Sequence, residues 1–96
     1  MFIATMTSKP GTLETRARLK PAHDEYWEKF ISALRLAGPI LSDDGETRLG
    51  QLLLLDVAER SKAEDIVTND PFFAAGLFTD LAVKRFRVSV ESKPVK

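Results

Sequence analysis

The first half of the chain alternates between strand-like and helix-like spacing of its apolar residues. Residues 1–7 form a short apolar run rich in strand-forming side chains, which ends at Lys9-Pro10-Gly11 and predicts a first strand. Residues 12–20 are mixed and charged and allow a helical turn. Residues 21–34 have the spacing of an amphipathic helix, with Pro21 in the position of a first helical residue. The apolar positions of this helix are Tyr26, Trp27, Phe30, Ile31 and Leu34.

Two further strands are predicted in the middle of the chain. Residues 36–41 form a short strand interrupted or edged by Pro39, because proline is confined to the edges of sheets. Residues 42–45, Ser-Asp-Asp-Gly, have the composition of a turn. Residues 48–57 contain four consecutive leucines, which favours a strand buried on both faces. One face can pack against helices, so the other needs a second sheet or a second subunit.

The last third predicts a second helix. Ser61 and Glu64 have the spacing of a capping box, which indicates a helix over residues 62–69. Asp70-Pro71 ends this helix, because the residue before a proline avoids the helical region. Residues 72–75 allow one more turn, which would stop at Gly76.

A long strand over residues 78–90 completes the predicted order. Its apolar alternation changes phase near Lys84 and Arg85, which indicates a bulge or a bend there. Residues 91–96 are polar and are expected to form a frayed tail. The order β–α–β–β–α–β predicts an α+β domain over residues 1–96, with two helices on one face of an antiparallel sheet. The ferredoxin-like arrangement is the commonest solution for this order.

Composition narrows the range of functions and partners. The chain has 96 residues, with 14 basic and 14 acidic side chains, so it lacks the positive field that nucleic-acid binding and peripheral membrane binding require. No run is long and apolar enough for a membrane span, and the N-terminus does not have the pattern of a signal peptide. A domain this small has a thin core, which favours a homodimer.

The chain contains no cysteine and one histidine, His23. The lack of cysteine removes disulfides and thiolate chemistry and favours a cytoplasmic location. With a single histidine, a metal site within one chain is not expected, and no cofactor motif occurs. Any chemistry that needs an imidazole must use His23.

The predicted topology brings two chemically useful residues to one end of the domain. His23 would lie in the first turn of the first helix, and Asp70 just after the second helix, which runs in the opposite direction. A carboxylate that holds one ring nitrogen of a histidine leaves the other free for general acid–base catalysis. Both residues also have plain structural explanations, since His23 can be a polar helix residue and Asp70 can cap the turn that follows.

Basic and aromatic residues near these two have alternative explanations as well. Arg16, Arg18 and Lys20 either attract an anionic group of a substrate or form a solvated surface. Lys84, Arg85 and Arg87 are expected to solvate or edge the sheet. Four aromatic residues are expected in the core rather than around a ligand, namely Trp27, Phe72, Phe73 and Phe78.

Four short motifs, in order, resemble the YciI-like (YCII-related) family. They are Lys20-Pro21-Ala22-His23, Ala37-Gly38-Pro39-Ile40, Asn69-Asp70-Pro71-Phe72 with Ala75-Gly76-Leu77, and Val83-Lys84-Arg85-Phe86. Lys20 replaces the usual arginine of the first motif, and Arg85 the proline of the last. The resemblance covers about residues 1–88. It implies a dimeric α+β barrel with an active site at His23 and Asp70, and some similar proteins are dehydrochlorinases of chlorinated hydroxyquinols.

Two functions are therefore expected from the sequence. The first is an enzyme in which His23 is the general acid–base, Asp70 orients it, and Lys20 or Arg16 holds an anionic or phenolic oxygen of a small substrate. The reaction would be an elimination, an isomerisation or another proton transfer. The alternative is a non-catalytic dimeric module, which either binds a small ligand in the same pocket or serves as an accessory partner of a larger protein.

Overall fold

The computed structural model describes residues 1–92 and contains four strands and three helices in that part of the chain. The elements are β1 (Phe2–Ser8), α1 (Leu13–Lys29), β2 (Leu34–Leu41), β3 (Arg48–Leu55), α2 (Arg60–Thr68), α3 (Pro71–Ala74) and β4 (Phe78–Arg85). The strands form one antiparallel sheet in the order β2-β3-β1-β4, with the helices on one side. The predicted α+β, ferredoxin-like fold class is confirmed.

The core lies between the sheet and the helices. The sheet contributes inward-facing residues of its two central strands, such as Met6 from β1 and Leu53 and Leu55 from β3. The helices contribute Val67 from α2 and Phe72 from α3, both almost fully buried. Because side chains alternate along a strand, Leu54 points to the opposite face, where it is also buried. Strand β3 therefore has buried leucines on both of its faces, as the leucine run predicts.

The first helix differs from its prediction at both ends. It begins at Leu13 rather than residue 21 and ends at Lys29 rather than residue 34. The charged segment that precedes Pro21 is rich in alanine, leucine, arginine, glutamate and lysine, all strong helix formers, and it extends the helix by two turns. Pro21 therefore lies inside α1, where its missing N–H leaves the Ala17 carbonyl without a helical hydrogen bond.

The second helix begins slightly earlier than its capping box predicts. Helix α2 starts at Arg60, with Glu59 as the N-cap, and no side chain caps it. Ser61 is therefore a helical residue rather than the N-cap. The short helix α3 forms as predicted, and Gly76 follows it with a φ of 81°.

The last strand is shorter than predicted, and its irregularity lies elsewhere. Strand β4 ends at Arg85, and Lys84 and Arg85 pair regularly with β1. The register shift is near the other end, between Thr5 and Thr7 of β1, opposite Asp80, whose φ is 55°. The apolar alternation continues beyond Arg85 because Phe86, Val88 and Val90 lie along the outer face of the sheet rather than extend the strand.

The start of the C-terminal tail is attached to the sheet. The Phe86 amide donates a hydrogen bond to the Met1 carbonyl, and Arg35 forms an ion pair with Glu91 at 2.7 Å. The remainder of the predicted frayed tail, residues 93–96, lies outside the described residues. Across residues 1–92, no helix is both long and apolar enough to cross a membrane.

Candidate active site

A cavity of about 170 Å³ lies between the sheet and the helices. Six lining residues come from the sheet and six from the helical layer. The sheet residues are Met6, Leu34, Ala37, Gln51, Leu53 and Phe78; the helical-layer residues are Arg16, His23, Trp27, Val67, Asp70 and Phe72. Eight of these twelve side chains are apolar, and the other four are Arg16, His23, Gln51 and Asp70. A mostly apolar cavity with a few polar groups is typical of a small-molecule site.

The structure brings His23 and Asp70 together at this cavity. The His23 Nδ1 atom lies 2.8 Å from Asp70 Oδ1, across 47 positions of sequence. His23 lies in the third turn of α1 rather than its first turn, because α1 begins at Leu13. The N-terminal end of the helix dipole therefore does not act directly on the imidazole, since that effect is confined to the first turn.

Asp70 also caps helix α3, so the structural and the chemical explanations hold at the same time. Its Oδ1 atom accepts a hydrogen bond from the Phe72 amide at 3.1 Å as well as contacting His23. Asp70 is only 6% exposed and is the one buried polar or charged residue among those described. These two contacts fix the position of the carboxylate.

Phe72 links the histidine to a cation in the same cavity. Its ring stacks on His23 with centroids 3.9 Å apart and planes inclined by 11°. The Arg16 guanidinium carbon lies 4.7 Å from the centroid of the same ring. Arg16 and His23 are seven residues apart, which places both on one face of α1. Phe72 was expected only as a core residue, and its second role as a support for His23 had no signal in the sequence.

Arg16 and Lys20 have different environments. Arg16 lines the cavity and takes part in none of the ion pairs among the described residues. Burial lowers the pKa of Arg16, repulsion from Arg48 lowers it further, and Asp70 opposes both effects. Lys20 is exposed, pairs with Asp24 at 2.9 Å and does not line the cavity. Of the two predicted anion-binding residues, the structure brings only Arg16 to His23 and Asp70.

Gln51 is a polar cavity residue that the sequence analysis missed. It lies on β3 with its side chain on the same face as Leu53 and Leu55, because alternate residues share a face. A single amide within this otherwise apolar inward-facing row was the signal that could have found it. Trp27, expected in the core, packs against the core and also lines the cavity.

The basic residues of the C-terminal region lie away from this cavity. Arg85 lies 5.0 Å from the Phe2 ring centroid, and Arg85 and Arg87 line a separate shallow depression. Lys84 is exposed on the edge strand β4. Within residues 1–92, no group of three or more histidine, aspartate or glutamate side chains could hold a metal ion.

The fold and the cavity define a small α+β domain of the ferredoxin-like class with a pocket between its two layers. The chain belongs to the YCII-related domain family, whose model matches residues 1–87. The resemblance that the four motifs indicate is thereby confirmed.

A solved structure supports this assignment. The 5-chloro-2-hydroxyhydroquinone dehydrochlorinase from Burkholderia phenoliruptrix AC1100, in complex with 2,5-dihydroxybenzoquinone, is 28% identical to this chain with a TM-score of 0.74. The match covers 91% of this chain and 94% of that chain. No curated protein matches the chain.

Proposed function

We propose that this protein is an enzyme that transfers protons on a small, oxygenated ring compound, with His23 as general acid–base and Asp70 as its orienting partner. The observation that carries the proposal is the 2.8 Å contact between His23 Nδ1 and Asp70 Oδ1 at the wall of the cavity. A histidine held by a carboxylate is a common arrangement for proton transfer.

The contact with Asp70 determines which ring nitrogen of His23 reacts. A carboxylate only accepts hydrogen bonds, so Nδ1 carries the hydrogen and donates it to Asp70. In the neutral imidazole the Nε2 atom then has the free lone pair and can take a proton from a substrate. The buried carboxylate stabilises the imidazolium that forms, and the stacked Phe72 ring restricts rotation of the imidazole plane.

The size of the cavity supports a substrate with a single ring. A cavity of about 150 Å³ holds one benzene molecule, and this cavity is about 170 Å³. The similar dehydrochlorinase is named for a substrate with a single ring, 5-chloro-2-hydroxyhydroquinone. Loss of HCl from such a substrate takes protons from two hydroxyl oxygens, gives one to the carbon that carries chlorine, and releases chloride. The product is a hydroxyquinone, no oxidant is consumed, and one acid–base residue can carry the proton from oxygen to carbon.

Arg16 is proposed as the residue that binds the negatively charged oxygen of the substrate. It is partly desolvated, lies beside the ring that supports His23, and pairs with no carboxylate among the described residues. A guanidinium in this setting gains more from an anionic ligand than an exposed lysine does, because the ligand replaces lost hydration. The proposal therefore uses Arg16 and leaves out Lys20, which pairs with Asp24.

The experiment is a turnover assay with 5-chloro-2-hydroxyhydroquinone and its dechlorinated analogue as probes. We expect chloride release by the wild-type protein and a decrease of about a hundredfold or more in kcat for His23→Gln. Arg16→Gln should raise KM, whereas its matched control Arg18→Gln, an exposed change on the same helix, should not. Binding without turnover, unaffected by His23→Gln, would contradict the enzyme and support the non-catalytic module. No binding of either ring would contradict both.

We also propose that two copies associate through the outer face of the sheet. Ile3, Leu36, Leu52 and Leu54 form an apolar patch there that the segment after β4 covers only in part, since Leu36 remains exposed. Burial of such a patch against a second copy would remove apolar surface from water. The cytoplasmic location, the absence of a cofactor and the lack of nucleic-acid binding stay predictions.

A further inference from the structure

The polar groups of the cavity are divided unequally between its two walls. Arg16, His23 and Asp70 all belong to the helical layer, whereas Gln51 is the single polar side chain among the lining residues of the sheet. The sheet and the helices form opposite layers. A ring between them therefore faces the pair of His23 and Asp70 (the dyad) on one side and the Gln51 amide on the other. The proposed function assigns roles to the first three groups and none to Gln51.

The side-chain amide of Gln51 does not contribute a hydrogen bond to the fold. None of the side-chain hydrogen bonds among the described residues involves its amide. Its pairing partners on the neighbouring strands are Met6 and Pro39, neither of which has a strong side-chain donor or acceptor to offer. Gln51 is half-buried, and no buried side-chain nitrogen or oxygen among the described residues lacks a hydrogen-bond partner, so its amide is open to solvent in the cavity. A ligand that displaces this solvent keeps its affinity only if it replaces the hydrogen bonds that the amide makes to water.

We infer that Gln51 is a specificity-determining residue that selects rings with oxygen substituents at opposite ends. This inference rests on the proposed function, because it takes the ring substrate and the dyad from it. One oxygen of the substrate lies at the Arg16 and His23 wall. The other accepts from, or donates to, the Gln51 carboxamide, which has both a carbonyl and an NH₂ group. A ring with both oxygens on one edge satisfies only the helical wall.

The structure also supplies two readouts at the cavity that need no assignment. Trp27 and His23 both line the cavity, and each is the only residue of its type in the chain. The indole N–H signal of Trp27 and the imidazole signals of His23 in an NMR spectrum therefore report directly on a ring bound there. Titration under argon gives a dissociation constant without any turnover.

The experiment compares two isomeric ligands in two proteins. Hydroquinone has its hydroxyl groups at opposite ends of the ring, and catechol has the same groups on one edge. We expect the wild-type protein to prefer hydroquinone. Gln51→Leu, which makes the residue resemble its leucine neighbours, should weaken hydroquinone binding about tenfold and change catechol binding less than about twofold. Gln51→Asn, which keeps an amide on a shorter side chain, should restore part of the preference.

The outcomes separate this inference from the proposed function on which it rests. Equal weakening of both isomers by Gln51→Leu, or no change in either, overturns the role of Gln51 while the cavity remains a ring-binding site. A wild-type protein that binds neither isomer nor 2,5-dihydroxybenzoquinone overturns the proposed function and this inference together. A loss specific to hydroquinone, with unchanged signals in the ligand-free variant, supports both.

Discussion

The imidazole of His23 lies nearly parallel to the ring of Phe72, with centroids 3.9 Å apart. Phe72 belongs to α3, the helix that Asp70 caps, so a single short helix provides both contacts that fix the imidazole. The Asp70 carboxylate sets the direction of Nδ1, and the stacked ring sets the imidazole plane. The orientation of the proposed catalytic residue therefore depends on packing of the core as well as on a charge.

Phe72→Leu tests the contribution of the stack. Leucine keeps the position apolar, so we expect a loss of only about 1 kcal/mol in the free energy of unfolding. The imidazole loses its flat support, and kcat should decrease about tenfold with little change in KM, because proton transfer depends on orientation. Phe72→Tyr retains an aromatic ring and should restore kcat.

Phe73→Leu is the matched control for this change. Phe73 is the next residue of the same helix, is half-buried and does not line the cavity. Steady-state kinetics and urea unfolding of both variants separate an effect on orientation from a general loss of packing. An equal decrease in kcat for Phe72→Leu and Phe73→Leu would contradict a positioning role for the stack.

Substitutions of Asp70 separate its cap from its charge. Asn also caps helices well, so Asp70→Asn should change the free energy of unfolding by only a few tenths of a kcal/mol, whereas Asp70→Ala should cost about 1 kcal/mol or more. Both variants lack the carboxylate that stabilises an imidazolium, so both should decrease kcat by about a hundredfold or more. Urea unfolding and chloride release measure the two effects. Full activity of Asp70→Asn would show that the charge has no catalytic role.

The order of elements and the proximity of His23 to Asp70 could both be predicted from the sequence, although the predicted start of α1 was wrong. The opposite directions of α1 and α2 bring the two residues to one end even though the start of α1 was misplaced. Pro21 is the source of that error, because a proline at the start of a helix and one inside it have the same local sequence signal. The expected position of His23 in the first turn of the helix is wrong for the same reason.

The contacts around the dyad could not be predicted, because they depend on tertiary packing. No spacing rule places the Phe72 ring against His23 or separates Arg16, which lines the cavity, from Lys20, which pairs with Asp24 one turn later. Gln51 is different, since its place in the inward-facing row of β3 is visible in the sequence once the strand direction and register are known. The alternation after Arg85 was misinterpreted because apolar residues that lie along a sheet have the same period as a strand.

Tyr26 makes the free energy of unfolding depend on pH in the alkaline range. Its hydroxyl donates a 2.6 Å hydrogen bond to the Ile66 carbonyl. Burial raises the pKa of Tyr26 above its ordinary value of 10.0, and the charges of Asp70 and Asp65 raise it further. The folded protein therefore holds the phenolic proton more tightly than the unfolded chain does. The resulting stabilisation is fully present below the unfolded pKa and is lost as pH rises through the folded pKa.

Tyr26→Phe removes this dependence. The variant should be less stable by about 1 kcal/mol at neutral pH, because it lacks the hydrogen bond. Between about pH 9 and about pH 11, the free energy of unfolding should fall more steeply for the wild type than for the variant. Urea unfolding at a series of pH values measures both curves. Parallel curves would show that the phenol titrates alike in the folded and unfolded states.

The proposed homodimer predicts a specific sensitivity of the outer sheet face to charge. Leu36 of β2 is 39% exposed there, and Leu36→Lys places a cation within the proposed interface. The variant should shift the protein from dimer toward monomer in light scattering coupled to size-exclusion chromatography. Leu13→Lys, at the start of α1, is the control, because Leu13 is 79% exposed and lies away from the outer face. A wild-type protein that is already monomeric at high concentration would contradict the proposed dimer.

Gly50 and Gly38 offer a matched test of how closely the strands pack beside the cavity. Gly50, next to Gln51 on β3, has no room for a side chain, because a Cβ built there would overlap the backbone carbonyl oxygen of Met6. Gly38 on β2 has no atom within 4 Å of the corresponding position.

Gly50→Ala must therefore push β1 and β3 apart and should cost about 2 kcal/mol or more in the free energy of unfolding. Gly38→Ala should be neutral or slightly stabilising, since it lowers the entropy of the unfolded chain. Urea unfolding of the two variants measures the difference, and equal stabilities would show that the backbone yields at Gly50 without cost.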